Sequence, residues 1–311
     1  MKLAYGTGVK EALDARRGIV ALESTVIAHG LPRPRNLETA RLVERDVRDA
    51  GAVPATICVA GGMLVVGASD ALLGRLANEN GVAKVSTRDL APFLARVPDS
   101  GLGATTVAAT AEIAARAGIE VFATGGIGGV HRGAEHTMDV SADLRALATQ
   151  PVVVVCAGAK LVLDLAHTLE QLETLGVPVI GYRTDELPAF YARSSGLPVP
   201  HRVDDAAAAA RIARLQLDRG AGMLVCVPIP EASALPRGEL EHEIDAALAA
   251  ADAAGVRGGD VTPFLLGRLG ESSSGRTLDA NVALLRNNAR VAAEIAIALA
   301  SLRKAGPGPA R

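Results

Sequence analysis

The chain of 311 residues contains no tryptophan, and its few phenylalanines and tyrosines make up only 2% of it. That scarcity removes the aromatic platforms on which single-stranded nucleic acids stack. An excess of one charge is missing as well: 32 Lys and Arg stand against 34 Asp and Glu, for a formal net charge of −2. Neither nucleic acid nor an anionic membrane surface is therefore expected as the main partner. Cysteine is sparse, and Cys58, Cys156 and Cys226 each fall inside an apolar run without C-x-x-C spacing. Buried thiols in a reducing compartment fit this better than disulfides or a thiolate metal site. No run reaches the ~18 apolar residues of a membrane span, and Met1–Ala12 has no apolar core of a signal peptide. These absences predict a soluble, cytoplasmic protein.

What is plentiful is small and apolar. Alanine, valine, leucine and glycine dominate, which suits helices packed closely on a sheet of β-branched residues. Gly18–Leu22 reads as a buried strand ending at Glu23-Ser24-Thr25. Beyond the irregular His29–Arg35, Asn36 is expected to cap a helix with Leu37, Ala40, Val43, Val47 and Ala50 on one face. Its Glu and Arg residues fall opposite, as a solvated side. Ala55–Ala60 and Met63–Gly67 flank Gly61-Gly62, a hairpin signal. A brief strand at Val82–Ser86 precedes a helix from Asp89 that Pro98 closes, and Gly101–Gly103 leads into a helix starting within Ala104–Val107. Strands alternate with helices as far as Val227, and the last third is helical: Glu239–Ala253, Thr262–Leu269 and a long helix from about Leu278. This pattern predicts an α/β layered fold with a mixed central sheet, one domain over 1–305 and a disordered tail at 306–311.

The densest chemistry lies between Ile119 and Lys160. An apolar strand, Ile119–Thr124, opens into the glycine-rich Gly125–Asp139, and Ser141 caps a short helix that carries Asp143. A glycine-rich turn after a strand lets backbone N–H groups approach an anion. A phosphate cradle is therefore expected, with Lys84 and His131 as cationic or donor partners. The run is neither a Walker loop nor a dinucleotide fingerprint, because it does not open a helix in the required way. His131 and His136 are weak evidence for zinc; Asp139, helped by waters, suits Mn²⁺ or Mg²⁺ better. Glu23 stands at the carboxyl end of a buried strand, where open α/β sheets place ligands. It is either a general acid or an ion-paired, capping glutamate. Lys160 ends the run Cys156-Ala157-Gly158-Ala159-Lys160 and is either an amine nucleophile or a snorkelling surface lysine. His167 and His242 fall within helices and read as surface or packing residues.

Several stretches then form a known pattern: ALESTVIAHG at 21–30, PATI at 54–57, KVSTRDL at 84–90 and GATTV at 103–107. To these are added FATGGIGGVHRGAEHT at 122–137, DVSADL at 139–144 and VCAGAK at 155–160. Together they resemble the pseudouridine-5′-phosphate glycosidase family, which includes indigoidine synthase A-like proteins. The likeness continues through Gly176–Tyr182, Thr262–Leu266 and Asn281–Asn288, and so covers nearly the whole chain. It implies a homotrimeric three-layer α/β/α sandwich. It implies Lys160 as covalent nucleophile, Glu23 as proton donor and Asp139 as ligand of a Mn²⁺-type ion. Lys84, Val107, Ser141, Ala142 and Asp143 would contact substrate, with His131 and Asn281 near the phosphate. Met138 departs from the family, which often has Phe there.

The resemblance implies reversible cleavage of pseudouridine 5′-phosphate to uracil and ribose 5-phosphate. The C1′–C5 bond offers no heteroatom leaving group, so the usual two-carboxylate glycosidase scheme has no easy exit. A lysine can instead supply the electron push for C–C cleavage. Two other readings remain open at this point: a Schiff-base aldolase or lyase on another sugar phosphate, and an indigoidine-type biosynthetic accessory protein.

Overall fold

The computed structural model describes residues 1–96, 101–256 and 261–305. The helix stop expected at Pro98 and the tail expected at 306–311 lie outside the described residues. Strand β1 (Leu3–Tyr5) and helix α1 (Val9–Asp14) lead to β2 (Ile19–Leu22). A turn of π-helix, Val26–Gly30, then precedes α2 (Arg35–Asp49), β3 (Val53–Ala60), β4 (Met63–Val66) and α3 (Asp70–Asn78). Next come β5 (Ala83–Val85), α4 (Thr87–Arg96), β6 (Leu102–Thr105), α5 (Val107–Ala117) and β7 (Val121–Ala123). The glycine-rich segment carries β8 (Val130–His131) and α6 (Ala134–Thr137), and is followed by α7 (Ala142–Thr149) and β9 (Val153–Cys156). After β10 (Leu163–Asp164) and α8 (Leu165–Thr174), the sheet is completed by β11 (Val179–Tyr182), β12 (His201–Val203) and, beyond α9 (Ala206–Asp218), β13 (Met223–Cys226). Helices α10 (Arg237–Ala253), α11 (Val261–Ser272) and α12 (Arg276–Lys304) close the chain.

Eleven strands form one sheet in the order β1-β4-β3-β2-β7-β9-β13-β11-β12, with β6 added to β3 and β5 to β6. Strands β3, β2, β7, β9, β13, β11 and β12 run parallel to their neighbours in that order. The hairpin partner β4 and the added β6 are antiparallel to β3, so the sheet is mixed, as the Gly61-Gly62 turn predicts. Every residue of β2, β7, β9 and β13 is buried. Parallel strands made of continuous apolar runs require cover on both faces. Helix α12 packs on β2, β7 and β9, while α5 packs on β2, β3 and β7 and against α7. The result is helix, sheet, helix.

Three local readings change. Residues 102–105 are not a lead-in to a helix; they form β6, with Ala104 paired to both Cys58 and Lys84. The second half of β3 projects past β2, and its open edge recruits β6. Helix α5 starts only at Val107, and the Thr106 hydroxyl caps it by accepting from the Ala109 N–H. Asn36 does not cap α2, which begins one residue earlier; its Nδ2 donates to the carbonyls of Ile27 (2.8 Å) and Ala77 (3.0 Å). The polar side of α2 is only partly solvated, since Glu44 and Asp46 are buried. Burial raises the Asp46 carboxyl, but the Arg286 and Arg290 guanidiniums of α12, at 2.6 and 2.7 Å, hold it below its ordinary value. The cysteines behave as expected: all three are free and buried, and burial pushes the Cys58 thiol up to about 12.

Candidate active site

Strands β2, β7 and β9 are neighbours and parallel, so their carboxyl ends share one edge of the sheet. Glu23 immediately follows β2, Thr124 immediately follows β7, and Lys160 comes four residues after β9. Ligands bind outside such carboxyl ends in open α/β sheets. The sequence candidates therefore converge because of strand order rather than spacing along the chain.

Glu23 is only 9% exposed. Its Oε1 accepts from the Thr124 hydroxyl and its Oε2 from the Thr25 hydroxyl. The adjacent Ser24 fixes the backbone: its Oγ donates to the Ile57 carbonyl (2.7 Å) and accepts from the Thr105 N–H (2.8 Å). The Thr105 hydroxyl donates to that same Ile57 carbonyl (2.8 Å) and itself accepts from the Thr110 hydroxyl (2.9 Å). A buried hydroxyl knot thus ties the end of β2 to β3, β6 and α5.

Lys160 is delivered by a tight turn. The Ile127 N–H donates to the Gly158 carbonyl (3.1 Å), and the Lys160 N–H donates to the Ile127 carbonyl (3.1 Å). Gly158 has φ +84, and a Cβ there would meet the Pro188 carbonyl oxygen at 2.2 Å. Only glycine allows that path. Lys160 is half-buried between buried Ala159 and Leu161. Its charge is felt at His131: burial pushes that imidazole down, Asp139 opposes the shift and Lys160 adds to it. His131 Nδ1 lies 3.9 Å from Asp139 Oδ2, and the His131 N–H donates to the Asp139 carbonyl (3.0 Å).

Asp143 is 7% exposed and both its oxygens are engaged. Oδ1 accepts from the Ala108 N–H (2.9 Å) in the first turn of α5, and Oδ2 from the Gly128 N–H (2.8 Å). Ser141 caps α7 as expected, its Oγ accepting from the Asp143 N–H (3.2 Å). A Cβ on Gly128 would lie 2.3 Å from Ser141 Oγ, so glycine is needed where the loop meets this pair. Ser141, Ala142 and Asp143 are thereby joined to the start of α5, at Val107, and to the glycine loop. Asn281, on α12 and 7% exposed, sits against Gly125 at the root of that loop.

Lys84 is the exposed middle residue of β5, between half-buried Ala83 and buried Val85. Burial pushes the His29 imidazole in the π-turn down, and the Lys84 charge pushes it further the same way. Among the described residues no group of three or more His, Cys, Asp and Glu side chains converges to hold a metal. His136 is 85% exposed and lies 3.7 Å from Glu135. His167 is exposed and paired with Asp164 at 2.8 Å, and His242 is exposed on α10, in line with their surface assignment. A small cavity of about 30 Å³ is lined by Glu23, Leu22, Thr56 and Ala123, and one of about 330 Å³ lies at the opposite ends of the strands, beside Gly18, Ile19 and Glu120. There the Glu120 carboxylate is paired with Arg303 at 2.8 Å. The sequence did not reveal Thr124 as a partner of Glu23, because 101 residues separate them and only the β2–β7 pairing joins them.

Known proteins are similar to this chain in sequence and in fold. Residues 8–298 match the model of the indigoidine synthase A-like protein family. A pseudouridine-5′-phosphate glycosidase of Chloroflexus aurantiacus is 56% identical over 300 residues, covering 94% of this chain and 97% of that protein. One of Methylobacterium nodulans is 53% identical over 308 residues, covering 98% and 90%. Among solved structures, the prealnumycin C-glycosynthase AlnA in complex with ribulose 5-phosphate superimposes with a TM-score of 0.90 at 46% identity, covering 98% of this chain and 99% of that one. An indigoidine synthase A-like protein of Thermotoga maritima gives 0.86 at 36% identity, covering 96% and 97%. On this full-length agreement of sequence and fold, the chain belongs to the indigoidine synthase A-like protein family.

Proposed function

We propose that this protein is a pseudouridine-5′-phosphate glycosidase, cleaving the C1′–C5 bond of pseudouridine 5′-phosphate to uracil and ribose 5-phosphate. The observation that carries this reading is a hydroxyl-held carboxyl, Glu23, and a half-buried amine, Lys160, at the carboxyl ends of β2 and β9, the two strands that flank β7. Relatives more than half identical over nearly their whole length bear that name.

Glu23, as the acid, gives its proton to the ribose ring oxygen, and the C1′–O bond opens. C1′ becomes electrophilic through conjugation with the uracil ring, and the neutral Lys160 amine adds there. The added nitrogen first gives up a proton to the Glu23 carboxylate; its lone pair then expels uracil C5, which takes up a proton as the C–C bond breaks, leaving an iminium between Lys160 and the sugar. Water adds to the iminium and frees ribose 5-phosphate and the lysine. The glycine loop held by Asp143, with His131 and Lys84, is suited to the phosphate end. In the same reading Val107, Ser141, Ala142 and Asn281 contact the substrate.

Asp139 suits a hard divalent cation such as Mn²⁺: it is a carboxylate, 36% exposed, beside an imidazole at 3.9 Å. A site of that kind takes its remaining oxygens from water and substrate. The bound ion would supply positive charge for positioning the substrate. A homotrimer in the cytoplasm belongs to the same reading.

The test is release of uracil from pseudouridine 5′-phosphate, followed by chromatography, together with borohydride reduction in the presence of ribose 5-phosphate. A reduced adduct on Lys160 is expected by mass spectrometry, and Lys160→Ala should lower turnover by on the order of 10⁴-fold. An adduct on Lys84 would exchange the two lysines' roles. Cleavage of other sugar phosphates without uracil release would favour the aldolase reading. A second reading, net C–C bond formation, is favoured by the neighbouring structure's being a C-glycosynthase. Mixing uracil with ribose 5-phosphate tests it directly.

A further inference from the structure

Asn288 is 0% exposed, lies in α12 and touches neither Glu23 nor Lys160 in any hydrogen bond. Its Nδ2 donates to the Thr124 carbonyl (2.9 Å) and also to the Gly125 carbonyl (3.3 Å). Among the described residues its Oδ1 is a buried side-chain oxygen with no hydrogen-bond partner. Rotating the amide would set Oδ1 against two carbonyl oxygens, so the two acceptors fix the orientation. A buried acceptor left unpaired is unfavourable, and a native protein keeps one only with a reason.

The two carbonyls that Asn288 grips belong to the hinge between β7 and the glycine loop. Thr124 extends its hydroxyl to Glu23. The Gly125 carbonyl also accepts from the Ala157 N–H (2.9 Å), on the strand extension that leads to Lys160. One amide therefore holds both the support of the acid and the path to the nucleophile. Asn281, seven residues earlier on the same helix, faces this hinge too.

We infer that Asn288 is a positioning residue that sets Glu23 and Lys160 in register with each other by clamping the Thr124–Gly125 hinge. This rests on the proposed glycosidase reading only for its assay. A side chain with two amide hydrogens at this reach is required: leucine has the size but no donor, and aspartate presents oxygens to oxygens.

The experiment compares wild type, Asn288→Leu, Asn288→Ala, Thr124→Val and the double variant Asn288→Leu/Thr124→Val. Uracil release from pseudouridine 5′-phosphate is measured well below each variant's Tm. The expected result is a fall in kcat on the order of 10- to 100-fold for Asn288→Leu, as misplaced catalytic groups produce. KM should stay within about threefold, because the substrate contacts remain. The double variant should fall little further than Asn288→Leu alone, since both changes release the same hinge. Wild-type kcat in soluble Asn288→Leu, or additive losses in the double variant, would overturn the inference. A lowered Tm with unchanged kcat would make Asn288 merely structural, with the same consequence. Should Asn288→Leu not fold, Asn288→Ala carries the same comparison; should neither fold, Asn288 serves folding and the inference falls. Failure of wild type to release uracil overturns the functional reading instead. Borohydride trapping of ribose 5-phosphate on Lys160 then supplies the rate to compare between wild type and variants.

Discussion

Glu23 and Asp143 are both buried carboxylates at the rim of one sheet, and they are held by different kinds of donor. Glu23 is served by the hydroxyls of Thr25 and Thr124. Asp143 is served by the backbone N–H groups of Ala108 and Gly128. A hydroxyl can donate or accept, so the Glu23 corner stays hydrogen-bonded whether the carboxyl carries its proton or has given it up. An N–H can only donate, so the Asp143 corner is satisfied by a carboxylate alone. The first arrangement suits a group that exchanges a proton in every turnover. The second suits a fixed staple between a helix start and the glycine loop. In the proposed reaction, two residues that look alike in a sequence thus divide into a proton carrier and a brace.

Glu23→Gln should break this contrast on the chemical side and gives the largest expected effect. Its amide can still bond both hydroxyls, so Tm should move little, while kcat for uracil release falls by on the order of 10³-fold. Equal losses of Tm and kcat would instead make Glu23 a structural residue. Asp143→Ala should show the opposite balance. It strands the buried Ala108 N–H and the part-buried Gly128 N–H and should destabilise the fold by about 2 kcal/mol, read as a lowered denaturation midpoint. Activity should fall as well, through loosening of the Gly128 loop, and with a rise in KM for the phosphorylated substrate. Retention of full stability would show that the N–H groups find other partners.

The smallest expected effect concerns His29, in the π-turn that follows Glu23 in the chain. Burial is the main reason its imidazole is depressed, and the Lys84 charge is the next. Lys84→Met should therefore raise the His29 titration midpoint towards, but not up to, its ordinary value, as followed by proton NMR of the imidazole. An unchanged midpoint would separate the two residues. The sign for stability follows from the same shift. A histidine depressed in the folded state contributes stability that is fully present above its unfolded value near 6.5. That contribution is lost as pH falls from there through the depressed folded value, because the unfolded chain takes up the proton first.

Much of this site was readable along the chain because its motifs are local. The strand ending at Glu23, the glycine run, the Ser141 cap and the turn into Lys160 each owe their form to neighbouring residues. The run of alternating strands and helices likewise predicted the layered mixed sheet. What was not readable depended on distant partners. Residues 102–105 became a strand because β3 offered them an open edge. Glu44 and Asp46 left the solvated face of α2 because Thr56 and two arginines of α12 met them. Thr124 and Asn288 carry no local signal, since their partners lie more than a hundred residues away.

The sequence by itself determined the chemical groups at hand: one acid after a strand, one lysine after another, and glycines where backbone must come close. Periodicity and motif length fix such features because they act over a few residues. Only the tertiary structure decided how those groups are held. The order β2-β7-β9 brings Glu23, Thr124 and Lys160 to one edge, and α12 lays Asn288 across the hinge between them. Hydrogen bonds are directional and short, so which carboxylate receives hydroxyls and which receives N–H groups is settled only when distant strands and helices pack.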